Sequence, residues 1–213
     1  MTSPSPSLGL SLSLSLGRPT LADRLFSRGI VMDLVLIAAG TALVAIAAQI
    51  EVPLWPVPVT GQTLAVLLVG SSLGALRGTL SLLLYAVLGV VGLPLFSGAG
   101  SGMSVVLGPT GGYIVGFIFA AAFTGWIAQR SWDRKVLRSI LSFFGGTVIT
   151  FAIGLPWLAY VLGLNLQQTL EGGLYPFIIG GIIKMLLAAG IITAGWRYFD
   201  REDHRRASRE LSS

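Results

Sequence analysis

An all-α integral membrane protein, with six transmembrane helices and both termini cytoplasmic, is the fold class this sequence predicts. Three observations carry that expectation. Of 213 residues, 54% are hydrophobic and only 11% charged, with mean hydropathy +0.82, where a soluble domain carries roughly 25% charged residues. Six apolar stretches alternate with short polar, prolyl or glycyl loops. Thirteen of the fourteen Lys and Arg residues fall on one side of that topology, the side that cation bias makes cytoplasmic.

The chain divides into a leader over residues 1–30, a six-helix transmembrane body over 31–198 and a charged cytoplasmic tail over 199–213. The leader is Ser/Leu/Pro-rich and alternates S-L-S-L-S-L at 11–16. Alternation is a strand pattern, but an isolated, Ser/Pro-flanked run reads as a mobile segment. It lacks the basic-then-apolar order of a signal peptide.

Arg18, Arg24 and Arg28 precede the first span, residues 31–50, about the length a bilayer requires. A proline-rich loop at 51–61 leads to a shorter span at 62–76, and Arg77 with Gly78 make a tight turn into 79–96. A glycine-rich loop at 97–109 precedes the fourth span, 110–129. The basic loop 130–138 leads to 139–162, which contains Pro156. A polar loop at 163–175 precedes the last span, 176–196. The three outer loops carry no cation and two acids, Glu51 and Glu171.

Irregular backbone at membrane depth survives only where protein buries it or it lines a cavity. The outer loops at 51–61 and 97–109 are therefore expected to form a ligand pocket. Pro53, Pro56 and Pro58 stiffen the first loop by fixing φ and withholding donors. Trp55 either covers an apolar ligand or anchors at the headgroups. Thr60, Gln62 and Thr63 present hydroxyls and an amide that hydrogen-bond a polar ring or cap a helix. Gly98, Gly100 and Gly102 permit close backbone approach, or simply a flexible loop. In G-P-T-G-G-Y (Gly108 to Tyr113) a proline stands just before a helix start and two glycines stand where helices touch. Tyr85 and Tyr113 carry phenols that want partners inside.

The fourteenth cation, Lys184, lies within the last span. A lysine at the centre of a bilayer costs roughly 2.5–3.5 kcal/mol on insertion scales. It either snorkels, closes an ion pair with a loop acid such as Glu171 or Glu51, or awaits an anionic ligand entering from outside. Asp33, the one acid within a span, is at the cytoplasmic end and on the wrong side. Ala38 and Ala42 form a small-xxx-small pair that shares a face with Gly40, a helix contact surface for the bundle or for a partner.

Several function classes are disfavoured. The chain has no cysteine and one histidine, His204 in the tail, which speaks against thiol and histidine chemistry and metal sites. No G-x-x-x-x-G-K-[ST] run is present, so nucleotide hydrolysis is not expected. No chain of intramembrane acids supports a proton relay. A Ser101–Lys184 hydrolase dyad is the remaining enzyme reading, with no orienting group in the sequence. The basic pI follows from membrane topology, and no nucleic-acid partner is expected.

V-P-V-T-G-Q-T, then L-L-L-Y-A-V-L-G-V-V-G-L-P-L-F, then the glycine loop and G-P-T-G-G-Y, resemble the BioY family, the biotin-binding S components of energy-coupling factor (ECF) transporters. The resemblance runs from about Ile37 to Ala189. In the last helix, P-F-I-I-G-G-I-I-K-M is similar to a family segment in which an acid precedes the lysine by three positions; here the lysine is Lys184 and the acid's position is Gly181. The resemblance implies an S-component fold that captures biotin from outside. Its partners would be a transmembrane T component and two ABC ATPases, which use the ATP, so that the chain needs no cofactor of its own. Lys184 would meet the biotin carboxylate, and Trp55, Tyr85, Phe96 and Tyr113 would enclose the ring. Thr60, Gln62 and Asn165 would face the ureido group, with Gly100 and Gly102 giving close approach. Ala38, Gly40 and Ala42 would form the partner face. A transporter working alone, or one for another small carboxylate, is the alternative.

Overall fold

A computed structural model describes residues 19–27 and 29–210. Residues 1–18 of the expected leader, and Arg18 and Arg28 with them, lie outside the described residues. The leader's other half is folded. Helix α1 (Leu21–Leu25) starts at a capping box in which the Asp23 amide donates to Thr20 Oγ1 and the Thr20 amide donates to Asp23 Oδ2. Thr20, Leu21 and Ala22 are buried, and Leu21 clusters with Ile192 and Trp196 of the last helix. The expectation of a mobile leader as far as residue 30 is corrected there: apolar burial and a cap hold the segment down.

Helix α2 (Ile30–Gln49) leads into the two-residue strand β1 (Glu51–Val52), which pairs antiparallel with β2 (Val59–Thr60), Glu51 opposite Thr60. Pro53, Pro56 and Pro58 lie in the intervening loop, where missing donors stop the ladder from growing. The Trp55–Pro56 peptide is cis. Helix α3 (Gln62–Leu73) and helix α4 (Ala75–Val91) meet at Gly74, with φ +88°. The expected turn at Arg77 and Gly78 is thus three residues earlier. Gly74 takes a left-handed φ without steric cost, whereas Gly78 lies inside α4 where it crosses α3; a Cβ on Gly78 would sit 3.0 Å from the Gly70 Cα.

Arg77 is consequently no loop cation. It is 2% exposed and lies between two carboxylates, 2.9 Å from Asp23 Oδ1 and 2.5 Å from Asp33 Oδ1. One buried guanidinium ties α1, α2 and α4 together, and Asp33, on the wrong side for Lys184, is accounted for by it.

The stretch 97–109 is more ordered than a plain loop. It holds one 3₁₀ turn (Ser97–Ala99) and helix α5 (Met103–Leu107). Helix α6 (Gly111–Ala128) follows and is the centre of the bundle, touching α3, α4 and helix α7 (Val136–Leu162). Its glycines explain the closeness of the α6–α7 contact: a Cβ on Gly116 would lie 2.9 Å from the Thr150 Cα, and one on Gly112 would meet Trp157. Helix α8 (Leu166–Gly173) occupies most of the expected polar loop at 163–175. Helix α9 (Tyr175–Glu210) runs 36 residues, about 54 Å, well beyond a hydrocarbon core of about 30 Å. The charged tail is a continuation of the last span.

Four of these helices, α2, α6, α7 and α9, are long and apolar enough to cross a membrane, and α3 and α4 are shorter apolar helices. Val31, Val35 and Ile46 on α2 and Ile178, Ile182 and Leu186 on α9 face outward, as expected of surfaces solvated by lipid. The chain is a mostly helical, multi-pass membrane protein.

Candidate ligand-binding site

The β1–β2 ladder, the 97–100 turn and helices α4, α6, α7 and α9 enclose a cavity of about 340 Å³, within the range of small-ligand sites. Its lining is mostly apolar. Tyr85 and Phe96 meet edge to face at 5.4 Å on one wall, while Tyr113 stacks on Phe177 at 6.2 Å and meets Phe151 edge to face at 5.9 Å on another.

The polar groups are few and linked. Gln62 opens α3; its Nε2 donates to the Tyr85 hydroxyl at 2.6 Å, and its Oε1 accepts from Thr60 Oγ1 at 3.0 Å. With its oxygen accepting from Gln62, Tyr85 keeps its own hydroxyl hydrogen to donate. A fully buried phenol at the cavity wall therefore offers a donor to a ligand acceptor such as a carbonyl. The Tyr113 hydroxyl is spent on the Gly173 carbonyl at 2.9 Å, which fixes α8 against α6 and leaves Tyr113 to serve the site with its ring.

Lys184 stands at the wall. It is not one of the lining residues, but its ammonium donates at 2.5 Å to the carbonyl of Thr60, which is. The ion pair considered with Glu171 is not formed: Glu171 accepts from Gln167 at 3.0 Å on the exposed face of α8. Nor does Lys184 engage Ser101.

Of the ten ligand-contact residues expected from the sequence, Thr60, Gln62, Tyr85, Phe96 and Tyr113 line the cavity and Lys184 abuts it. The other four have different work. Trp55 is 81% exposed, turned outward by its proline-rich loop. The Gly100 carbonyl accepts from the Phe96 amide at 3.0 Å, closing the 97–100 turn. Gly102, with φ +87°, donates its amide to the Gly89 carbonyl at 2.7 Å and pins the loop to α4. Asn165 caps α8 in a capping box with Gln168. On α2, Ala38 and Ala42 are exposed but Gly40 is not; a Cβ there would be 2.6 Å from Ser81 Oγ, so Gly40 belongs to the α2–α4 contact.

Sequence reasoning missed Thr150, Phe151 and Phe177 as lining residues, and it treated Glu51 only as a partner for Lys184. Phe151 lies in a long apolar helix where no periodic signal separates a cavity face from a packed one.

Against this geometry, the profile of the BioY family matches residues 18–201. Among curated relatives, the biotin transporter BioY of Rhizobium etli is 36% identical over 167 residues, 74% of this chain and 89% of the relative. A probable biotin transporter BioY of Pyrococcus horikoshii is 40% identical over 153 residues, 72% of this chain and 89% of the relative. Among solved structures, the S component for biotin from an ECF-type ABC transporter superposes with a TM-score of 0.69 at 27% identity, covering 77% of this chain and 90% of that one.

Proposed function

The chain belongs to the BioY family, and from that premise we propose that it captures biotin for uptake as the substrate-binding subunit of an ATP-driven ECF transporter. The observation that carries the reading is the cavity itself: aromatic walls around a buried donor, Tyr85, with an ammonium, Lys184, at the wall. Biotin is an apolar bicycle with a ureido carbonyl at one end and a carboxylate at the other. The Tyr85 hydroxyl, oriented by Gln62, donates to the ureido carbonyl. Lys184 releases the Thr60 carbonyl and forms a charge-assisted bond to the carboxylate.

The remaining features form one scheme with that reading. All six apolar helices cross the cytoplasmic membrane, both termini are cytoplasmic and the cavity opens outward, in keeping with the cation distribution. A transmembrane T component and two ABC ATPases supply the energy, and the exposed Ala38 and Ala42 of α2 are the T-component contact. The chain performs no hydrolysis and requires no cofactor.

Equilibrium binding of labelled biotin to the purified protein, competed by biotin amide and lipoate, tests the reading. Tight binding with a penalty for the amide supports it. Folded protein that ignores biotin overturns it and leaves a shared fold with a different small-carboxylate ligand.

A further inference from the structure

The only acid lining the cavity among the described residues is Glu51, and the reading above leaves it unused. A carboxylate in a mostly apolar wall is costly unless it is satisfied. Its one hydrogen bond among the described residues is accepted from the Ser97 hydroxyl, while an ionised carboxylate offers about four acceptor positions. Most of its capacity is therefore open.

The carboxylate is also held in place. Strand pairing with Thr60 fixes its backbone. The Ser97–Ala99 turn beside it is clamped by Gln49, whose Nε2 donates to the Phe96 carbonyl at 3.1 Å and whose Oε1 accepts from the Ala99 amide at 3.1 Å. Gly98 has φ +65°, and a Cβ there would come 3.3 Å from Glu51 Oε1, so glycine lets the turn close on the acid.

Glu51 and Lys184 both reach the ladder residue Thr60, one by strand pairing and one by its ammonium, yet no ion pair joins them. An anion lining the cavity and a cation on a lining residue's carbonyl, with no ion pair between them, suit a ligand that carries N–H donors at one place and an anion at another. We propose that Glu51 is a ligand-reading residue: its carboxylate accepts from a ureido N–H of the bound ligand and repels the ligand's own carboxylate, so that the ligand enters in one direction. This inference rests on the biotin reading. Tyr85 then serves the ureido carbonyl and Glu51 a ureido nitrogen, a donor and an acceptor matched to a group that carries both.

The test compares biotin with its two ureido N-methyl isomers on the wild type, Glu51→Gln and Ser97→Ala, by equilibrium binding. The wild type should bind one isomer at least tenfold more weakly than the other, because only one N–H faces Glu51. Glu51→Gln should weaken biotin about tenfold, the scale of a charge-assisted bond reduced to a neutral one, and should shrink the difference between isomers. Ser97→Ala, which disturbs the turn but keeps the acid, should preserve that difference. Equal binding of the two isomers by the wild type, or an undiminished difference in Glu51→Gln, overturns the proposal while leaving biotin binding intact. A wild type that binds no biotin overturns the functional reading along with it.

Discussion

The Lys184 ammonium donates to the carbonyl of Thr60, 124 residues earlier in the chain. A cation within the last span is thereby satisfied at the wall of the cavity by a neutral acceptor, which a carboxylate can displace.

Replacing Lys184 should therefore hurt the anionic ligand selectively. Lys184→Ala is expected to weaken biotin by tenfold to a hundredfold, the range of a hydrogen bond to a charged group, and biotin amide by much less. Competition binding on the purified variant reads the difference, and equal losses for both ligands would remove the proposed role.

Tyr85→Phe leaves the Gln62 amide nitrogen buried without the phenol oxygen it donates to. A buried donor left unsatisfied costs about 1–3 kcal/mol, so thermal stability in detergent should fall, and biotin affinity should fall with it. An unchanged melting temperature would mean that Gln62 finds another acceptor.

The Asp23–Arg77–Asp33 cluster predicts an asymmetry. Arg77→Met takes the guanidinium from two carboxylates that are 0–1% exposed at their side chains, and breaking such a buried pair costs about 3–5 kcal/mol. Adding Asp33→Asn should recover part of the loss, because one of the two buried charges is gone. Yield of folded protein and melting temperature measure both steps.

Asp133 gives a pH dependence. It lies in the short turn Trp132–Arg134, is 1% exposed and accepts from the Trp196 indole at 2.6 Å. Burial pushes its carboxyl up to about 6, against the pull of the indole and of Arg134. The folded state therefore holds this proton more tightly than the unfolded state does. The stabilisation is complete below the ordinary carboxylate range and is lost as pH rises through about 6. Between pH 7 and pH 5 the protein should gain on the order of 1 kcal/mol from this group. Asp133→Asn should flatten that part of the stability profile, and an unaltered profile would exclude Asp133 as its source.

Ala42→Leu places bulk on the exposed face of α2, away from the cavity. Biotin binding by the isolated chain should persist while co-purification with the T component declines. Retained assembly would move the contact elsewhere.

Much of this protein was legible before any coordinates. Apolar run lengths located α2, α6, α7 and α9, long and apolar enough to cross a membrane, and the shorter apolar α3 and α4, and the close pairing of Gly112 with α7 was foreshadowed by G-P-T-G-G-Y, because missing side chains mark close approach. Thr60, Gln62 and Tyr113 stood out as polar and aromatic groups beside irregular backbone in an apolar chain, Tyr85 as a phenol within an apolar span, and Phe96 through the family resemblance. Such features are local: composition, run length and turn chemistry act within a few residues.

Tertiary structure decided what depends on direction and on distant partners. Whether Trp55 points in or out, whether Asn165 meets a ligand or caps α8, and whether Gly40 faces a partner or Ser81 are questions of orientation that residue type leaves open. Arg77 reads as one more loop cation until Asp23 and Asp33 are brought to it from two other helices. Lys184 reads as a charge without a counterpart until a carbonyl from the β ladder arrives. Charge in a membrane protein is costly enough that its partner must exist, but only the packing of the helices determines which residue that partner is.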